Sequence, residues 1–387
     1  MLARFLRTII CIGLLVSVFG VGCTPSSSEM SEVVYEPSTD SLRFAGETHF
    51  RNIRQLTFGG NNAEAYWSFD DKQLVFQTDW AKVNPQGCDQ IFVMNASGEP
   101  LANNSQFGLA STGKGRTTCS YFLPDGRVVY ASTHEAAENC PPVVPPTGGR
   151  YVWSLYDSYD IYVANVDGSN PEVLIGGPGY DAEATVSPDG KYIIYTSTRS
   201  GDLELYRYEI ETGENLQLTS ELGYDGGAFF SRDSKKIVWR ASRPKGESAE
   251  VYKKLLSENL VEPKALNVFV ADIDGGNVVQ VTDFPGANWA PFLHPDGKRV
   301  LFCSNYESIG KGRPIFAIYL INIDGTGLTK ISHSQTFDAF PMFSYDGKKI
   351  VFSSNRNASR TPTRDTNIFV ADWIEEPEEV DLKFGKQ

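Results

Sequence analysis

Six times in 387 residues the chain repeats one unit, a tight turn followed by a short strand, and no other feature narrows its fold so much. The fullest copy is Ser187-Pro-Asp-Gly-Lys-Tyr-Ile-Ile-Tyr-Thr-Ser-Thr-Arg199. Phe122–Ser132, His294–Ser304 and Ser344–Ser354 repeat it, and Ser68–Thr78 and Ser231–Ala241 are weaker copies. In such a turn Pro presets φ, Asp bonds its own backbone and Gly supplies a positive φ. The β-branched and aromatic run behind it fits a strand. One such unit cannot bury its apolar face alone, so its recurrence predicts an array of stacked units.

Each unit holds four strand-like pieces. The first ends in apolar or aromatic residues at the turn, as in Ala65–Trp67 and Ala339–Phe343, and the second follows the turn. The third recurs as Gln90–Met94, Asp160–Ala164, Leu203–Arg207, Asn267–Ala271, Ala317–Ile321 and Asn367–Ala371. A hairpin turn such as Asp272-Ile-Asp-Gly275 follows most of these. The fourth is a short polar strand, clearest in Asn215–Thr219, Val278–Thr282 and Leu328–Ser332. Six such four-stranded antiparallel units arranged radially predict an all-β fold, a six-bladed β-propeller. The last unit lacks a fourth strand, and Asn52–Thr57 is a fourth strand with no unit before it. The N-terminal strand is therefore expected to complete the last blade, which removes the exposed sheet edges.

Spacing marks one face as elaborated. Gly190 to Ser234 spans 44 residues, against 64 from Gly126 to Gly190 and 63 from Ser234 to Gly297. The surplus falls between second and third strands, at His134–Asp157 and Pro244–Leu266, with smaller insertions at Asp79–Asp89 and Tyr306–Phe316. In a propeller these loops share one face, where function is expected. Ala249–Leu260 reads as a short helix on it.

Met1–Gly22 reads as an export signal, with Arg4 and Arg7 before an apolar run, Ile9–Phe19, too short to span a bilayer comfortably. Gly20-Val-Gly-Cys23 resembles the lipobox of bacterial lipoproteins, which implies cleavage after residue 22 and lipidation of Cys23. Residues 23–48, rich in Ser, Glu and Pro, read as a flexible tether, 49–374 as the propeller and 375–387 as an acidic, polar tail. Loss of the two leader arginines takes the formal charge from −13 to about −15, a scattered acidic balance that disfavours nucleic acid as partner. The expected location is the bacterial cell envelope, periplasmic side or cell surface, with membrane contact through the lipid anchor alone.

From His49 to Trp373 the repeats resemble those of the TolB family, whose unit carries Ser-Pro-Asp-Gly-Lys, an aliphatic-aromatic strand and a Ser-x-Arg ending. Ser187–Arg199 matches throughout and Ser344–Arg356 nearly so. The resemblance implies a propeller that engages extended peptides through its channel mouth.

Aligning the units on the turn places Asn62, Thr117, Asp181, Asp225, Asn288 and Asp338 at the start of the six innermost strands, with Glu183 close behind. These six are expected to face one another around the central channel. At about 8 Å and an effective dielectric near 20, each pair of like charges would cost about 2 kcal/mol. Such a ring attracts a cation such as calcium, a basic peptide or a protonated amine. The Asp-x-Asp-Gly copies lack the remaining ligands of a calcium loop and read as turns. The four histidines show no zinc spacing, so no metal site and no cofactor are assigned. Cys88, Cys119 and Cys140 map to one corner of the elaborated face. Cys88–Cys140 is the first pairing for a disulfide and Cys119 the alternative partner, while Cys303 lies within a strand.

These features predict a monomeric, lipid-anchored envelope propeller that binds a protein or extended peptide on its elaborated, acidic face. One alternative is a polymer-degrading lyase or hydrolase at the channel mouth. It would draw on His134, Arg116, Arg150, Arg240 and the channel carboxylates, two or more of which must then converge on one substrate atom. The other alternative is a carbohydrate-binding module. Neither a nucleophile elbow nor a phosphate loop occurs.

Overall fold

The repeated turn closes on its own first residue. In the computed structural model, which describes residues 40–144, 149–357 and 365–377, Ser187 Oγ donates to Asp189 Oδ1 at 2.6 Å. The same oxygen accepts the backbone N–H of Lys191 at 3.2 Å and of Tyr192 at 2.9 Å, and Gly190 takes φ 70°. Ser68, Ser231 and Ser344 repeat the arrangement. Where His294 replaces the serine, its Nδ1 accepts from Asp296 N at 3.2 Å.

The turns join strands into six four-stranded antiparallel blades. From the axis outward, blade 1 is Asn62–Trp67, Gln73–Thr78, Gln90–Asn95 and Gly108–Leu109. Blade 2 is Thr117–Phe122, Val128–Ser132, Asp160–Ala164 and Glu172–Ile175. Blade 3 is Asp181–Val186, Tyr192–Ser197, Glu204–Glu209 and Asn215–Gln217. Blade 4 is Asp225–Phe230, Lys236–Ser242, Leu266–Asp272 and Val279–Gln280. Blade 5 is Asn288–Leu293, Arg299–Ser304, Ala317–Asn322 and Thr329–Lys330. Blade 6 is Asp338–Phe343, Lys349–Ser354 and Asn367–Trp373, and the N-terminal strand Phe50–Gln55 completes it. Closure buries Phe50 fully, stacked on Phe352 with centroids 5.3 Å apart, a burial worth about 2 kcal/mol.

Every innermost strand breaks register against its neighbour at the same point, one residue in from its start. The third residue of the strand is an extra one with positive φ: Glu64 (54°), Cys119 (47°), Glu183 (60°), Gly227 (57°), Ala290 (48°) and Phe340 (53°). This is a β-bulge repeated six times, and a bulge re-aims side chains at the rim of a closed sheet array.

The N-terminal side of the ring begins earlier than the sequence suggests. Asp40–Thr48, expected to be tether, packs on blade 6: Asp40 accepts from Ile53 N, and Glu47 is buried against Arg356. The expected export signal, the expected lipidation site Cys23 and most of the C-terminal tail lie outside the described residues. Among the described residues no helix is long and apolar enough to cross a membrane.

The insertions fall where the spacing put them. The helix α1 spans Glu247–Ser257, with Ala249, Tyr252 and Leu255 buried. It ends short of Leu260 because Leu260–Val261 instead pairs antiparallel with Trp153–Ser154. Insertions from blades 2 and 4 thereby join into a small two-stranded bridge over the loop face.

Candidate functional site

On the loop face the axis opens into a cavity of about 840 Å³. Its floor is the fifth residue of the innermost strands. Tyr66, Tyr121, Phe229 and Phe292 fill the axis in edge and tilted contacts with centroids 5.3–6.2 Å apart. Beyond them the turn face holds a recess of only about 30 Å³. The channel is thus a blind chamber.

The chamber wall is made by the bulge residues and not by the ring expected from the repeats. Asp181, Asp225 and Asp338 are 0–1% exposed, and each is held by an arginine of its own blade. Asp181 accepts from Arg199 at 2.9 Å, Asp225 from Arg243 at 2.8 Å and Asp338 from Arg356 at 3.2 Å. In each pair the arginine follows its aspartate by 18 residues. Asn62, Thr117 and Asn288 donate instead to carbonyls at the preceding blade, Thr366 O, Asp89 O and Leu266 O, at 2.9 Å each. Asn62, Thr117 and Asn288 therefore stitch neighbouring blades together, and the three aspartates have their charge offset within their own blades. Of the seven residues expected at the channel only Asn62 and Glu183 line the chamber. The others point into the sheet because the bulge turns the third residue, not the first, towards the axis.

The bulge ring has two unlike halves. On blades 5 and 6 it is apolar. Ala290 and Phe340 adjoin an aromatic wall in which Trp289 lies 5.4 Å from Phe340 and 5.5 Å from Phe316, and Phe316 5.6 Å from Phe337. On blades 1 to 3 it is ionisable, with Glu64, Cys119 and Glu183, and on blade 4 Gly227 leaves room for Arg240. Glu183 is bonded by Arg240 Nη2 at 2.5 Å, Tyr224 Oη at 2.6 Å, Thr196 Oγ1 at 2.7 Å and Gly227 N at 2.9 Å. Burial opposes its ionisation, but Arg240 and these hydrogen bonds outweigh it and hold the carboxyl below its ordinary value. Only glycine fits at 227, since a Cβ there would lie 1.5 Å from Arg240 Nη1.

Glu64 has no such partner. Burial pushes its carboxyl up to about 7, against a weaker hydrogen bond from Cys119, and Oε2 is buried without a hydrogen-bond partner. The Cys119 thiol is driven well above its ordinary value by burial and by the Glu64 and Glu183 charges. It stays protonated at neutral pH, which makes it a poor nucleophile.

The bridge between the insertions roofs part of the chamber. Trp153 descends from it to stack on Trp289 at 5.4 Å, with Arg240 5.7 Å from its ring. Arg150 is spent on Glu262 at 3.0 Å at the bridge, and Arg116 pairs with Asp89 at 2.8 Å in the chamber wall. Cys88 and Cys140 form a disulfide that ties the insertion of blade 2 to that of blade 1, and Cys119 is free in the chamber. His134 lies away from it, 2.8 Å from Ser132 Oγ and against the Tyr162 ring at 4.3 Å. Of the four residues proposed for catalysis, Arg116 and Arg240 line the chamber, each paired with a carboxylate, and His134 and Arg150 do not. Among the described residues no group of three His, Cys, Asp or Glu side chains is placed to hold a metal ion. Glu64, Phe340 and Gly227 escaped the sequence reading, although each stands two residues after a strand-opening residue, as Glu183 does after Asp181.

Residues 125–262 and 259–361 match the family model of the TolB beta propeller domain. The Tol-Pal system protein TolB of Francisella tularensis subsp. holarctica is 27% identical over 193 residues, which cover 42% of this chain and 44% of that protein. The chain thus spans less than half the length of these curated relatives. An uncharacterized protein of Agrobacterium fabrum, Atu1656, is 24% identical over 261 residues, 58% of this chain and 80% of that one. A solved structure of an Agrobacterium tumefaciens protein assigned to TolB superposes with a TM-score of 0.51 at 17% identity, covering 84% of this chain and 97% of that one. That likeness concerns the fold alone.

Proposed function

This chain belongs to the TolB β-propeller domain family, and from that premise we propose that it is a monomeric, lipid-anchored protein of the bacterial cell envelope that binds a protein partner, a segment of which enters the loop-face chamber. The observation that carries the reading is the shape and rim of that chamber. It is closed below by four aromatic rings, and it opens only towards the face on which the long insertions gather. At its mouth Val143 and Tyr151 are 74% and 68% exposed, apolar surface of the kind that marks a contact site. A blind chamber of this size admits a chain end or a few side chains. The names of the Francisella relatives place them in a Tol-Pal system, which supports an envelope protein as the class of partner. Export by the leader and lipidation at Cys23 would hold the propeller at a membrane surface through the anchor alone.

The test is site-specific photocrosslinking in intact cells. A photoreactive residue at Tyr151, on the loop face, should give a discrete protein adduct, and one at Lys348, on the turn face, should not. Equal adducts from both faces, or none from Tyr151, would overturn the reading. Incorporation of labelled palmitate, lost in Cys23→Ser, tests the anchor separately.

A further inference from the structure

The attraction for cations expected of three ring aspartates cannot come from them, because each is held by an arginine. In the chamber wall the same holds for Glu183 with Arg240 and for Asp89 with Arg116. One carboxylate remains. Glu64 lies in the bulge ring between Cys119 of blade 2 and Phe340 of blade 6 and has no cation of its own. Phe340 leads from it into the aromatic wall of Trp289, Phe316, Phe337 and Trp153. On that wall Trp289 Nε1 is a buried donor without a partner, and Arg240 Nε, beside Trp153, and Arg116 Nε are two more in the chamber lining. The chamber thus presents one unmatched negative charge, the faces of several aromatic rings and three unused N–H donors.

We infer that the chamber takes an organic cation: a ligand with one ammonium or guanidinium nitrogen seated between Glu64 and the Phe340–Trp289 wall, on an apolar body that also carries a carbonyl or hydroxyl oxygen to accept from Trp289 or Arg240. Aromatic faces attract such a cation, and the carboxylate supplies a charge-assisted hydrogen bond. A calcium ion is a poor fit, since it needs six to eight oxygen ligands and the ring offers one free carboxylate beside a thiol and a phenyl ring. The titratable groups around Glu64 are Cys119, Glu183, Arg240, Asp89 and Tyr66. Of these Glu183, Asp89 and Arg240 are already paired, and burial keeps Cys119 and Tyr66 protonated. Glu64 is therefore the group among them whose ionisation changes near neutral pH, because burial raises it more than Cys119 and Arg240 lower it. The cation has two natural sources, the basic residue or free amino terminus of an inserted peptide, or a free small amine. The inference deepens the reading of the loop face as a binding surface and rests on it.

The experiment is calorimetric titration of the full-length protein with three probes, followed also by the fluorescence of Trp153 and Trp289. The probes are tyramine, the capped peptide acetyl-Gly-Arg-Phe-amide and the neutral N-acetyltyramine. At pH 8 one or both cationic probes should bind roughly tenfold or more tightly than the neutral one. Glu64→Gln should abolish that preference, and near pH 7 binding should release protons as Glu64 ionises. A preference for the capped arginine peptide assigns the site to an inserted peptide, and a preference for tyramine to a free amine. Equal binding of the neutral probe, no binding of either cation, or an unchanged preference in Glu64→Gln would overturn the inference. Adducts at Tyr151 that persist in Glu64→Gln would leave the docking reading standing while the cation assignment fell.

Discussion

Arg356 grips Glu47 with both terminal nitrogens at 3.1 Å, although 309 residues separate them in sequence. Both side chains are fully buried, and the same guanidinium bonds Asp338 at 3.2 Å. A buried arginine between two carboxylates is tolerated because each charge finds hydrogen bonds, and removing one partner strands the others. The pair latches the chain's first described segment onto the last blade, beside the strand pairing that closes the ring.

Glu47→Gln should therefore lower stability by about 3 kcal/mol. Chemical denaturation should show an earlier midpoint with an unchanged slope. An unchanged midpoint would mean that strand pairing alone holds the closure.

The aspartates of the inner strands should behave as structural residues, in an order set by how deeply their arginines are buried. Side-chain exposure is 0% for Arg356, 22% for Arg243 and 30% for Arg199. Asp338→Asn should cost most, about 3 kcal/mol, and Asp181→Asn least, about 1 kcal/mol. Thermal unfolding of the three variants checks the ranking.

Glu64 makes stability depend on pH. Its folded value, about 7, lies above its ordinary 4.5, so the folded state holds this proton more tightly than the unfolded chain does. That advantage is complete below about pH 4.5 and fades as pH rises to 7, leaving the folded state about 3 kcal/mol less stable than if it had kept the proton. Glu64→Gln should accordingly raise the melting temperature at pH 8 and leave it nearly unchanged at pH 4.

Gly227→Ala should displace Arg240, since the new methyl would occupy the space of its guanidinium and the backbone at φ 57° disfavours a side chain. A loss of about 2–4 kcal/mol is expected. The emission of Trp153, over whose ring Arg240 lies, should shift with it.

The disulfide should hold the insertion of blade 2 in place more than it holds the blades. By chain entropy, closing a loop of 52 residues is worth at most about 4 kcal/mol. Cys140→Ser or reduction should speed tryptic cleavage after Arg150, beside the bridge. Cleavage rates by mass spectrometry, oxidised against reduced, decide it.

The fold was legible because its signals are local. Ser187, Asp189 and Gly190 close their turn within a few residues, and six such turns leave few ways to stack what lies between them. The pairing of Asp181, Asp225 and Asp338 with arginines 18 residues on was also written in the sequence. Blades that open with Asn62, Thr117 or Asn288 carry Trp80, Glu135 or Tyr306 at that distance instead. The repeat's Ser-x-Arg ending belongs to that salt bridge, as Arg199 and Arg356 show.

The chamber's lining was legible only in part, at Asn62 and Glu183 among the residues expected at the channel. Glu, Cys, Ala and Phe give no local sign that they will adopt a left-handed backbone, and the strand's period of two says nothing of where a bulge interrupts it. The sequence by itself determined six blades, their turn face and their closure by an N-terminal strand, expected at Asn52–Thr57 and found at Phe50–Gln55. Only the packed ring decided that Glu64 rather than Asp181 meets the axis, and that Trp153 and Trp289 stack across it. Those facts depend on burial and on contacts between blades distant in the chain, which no local pattern encodes.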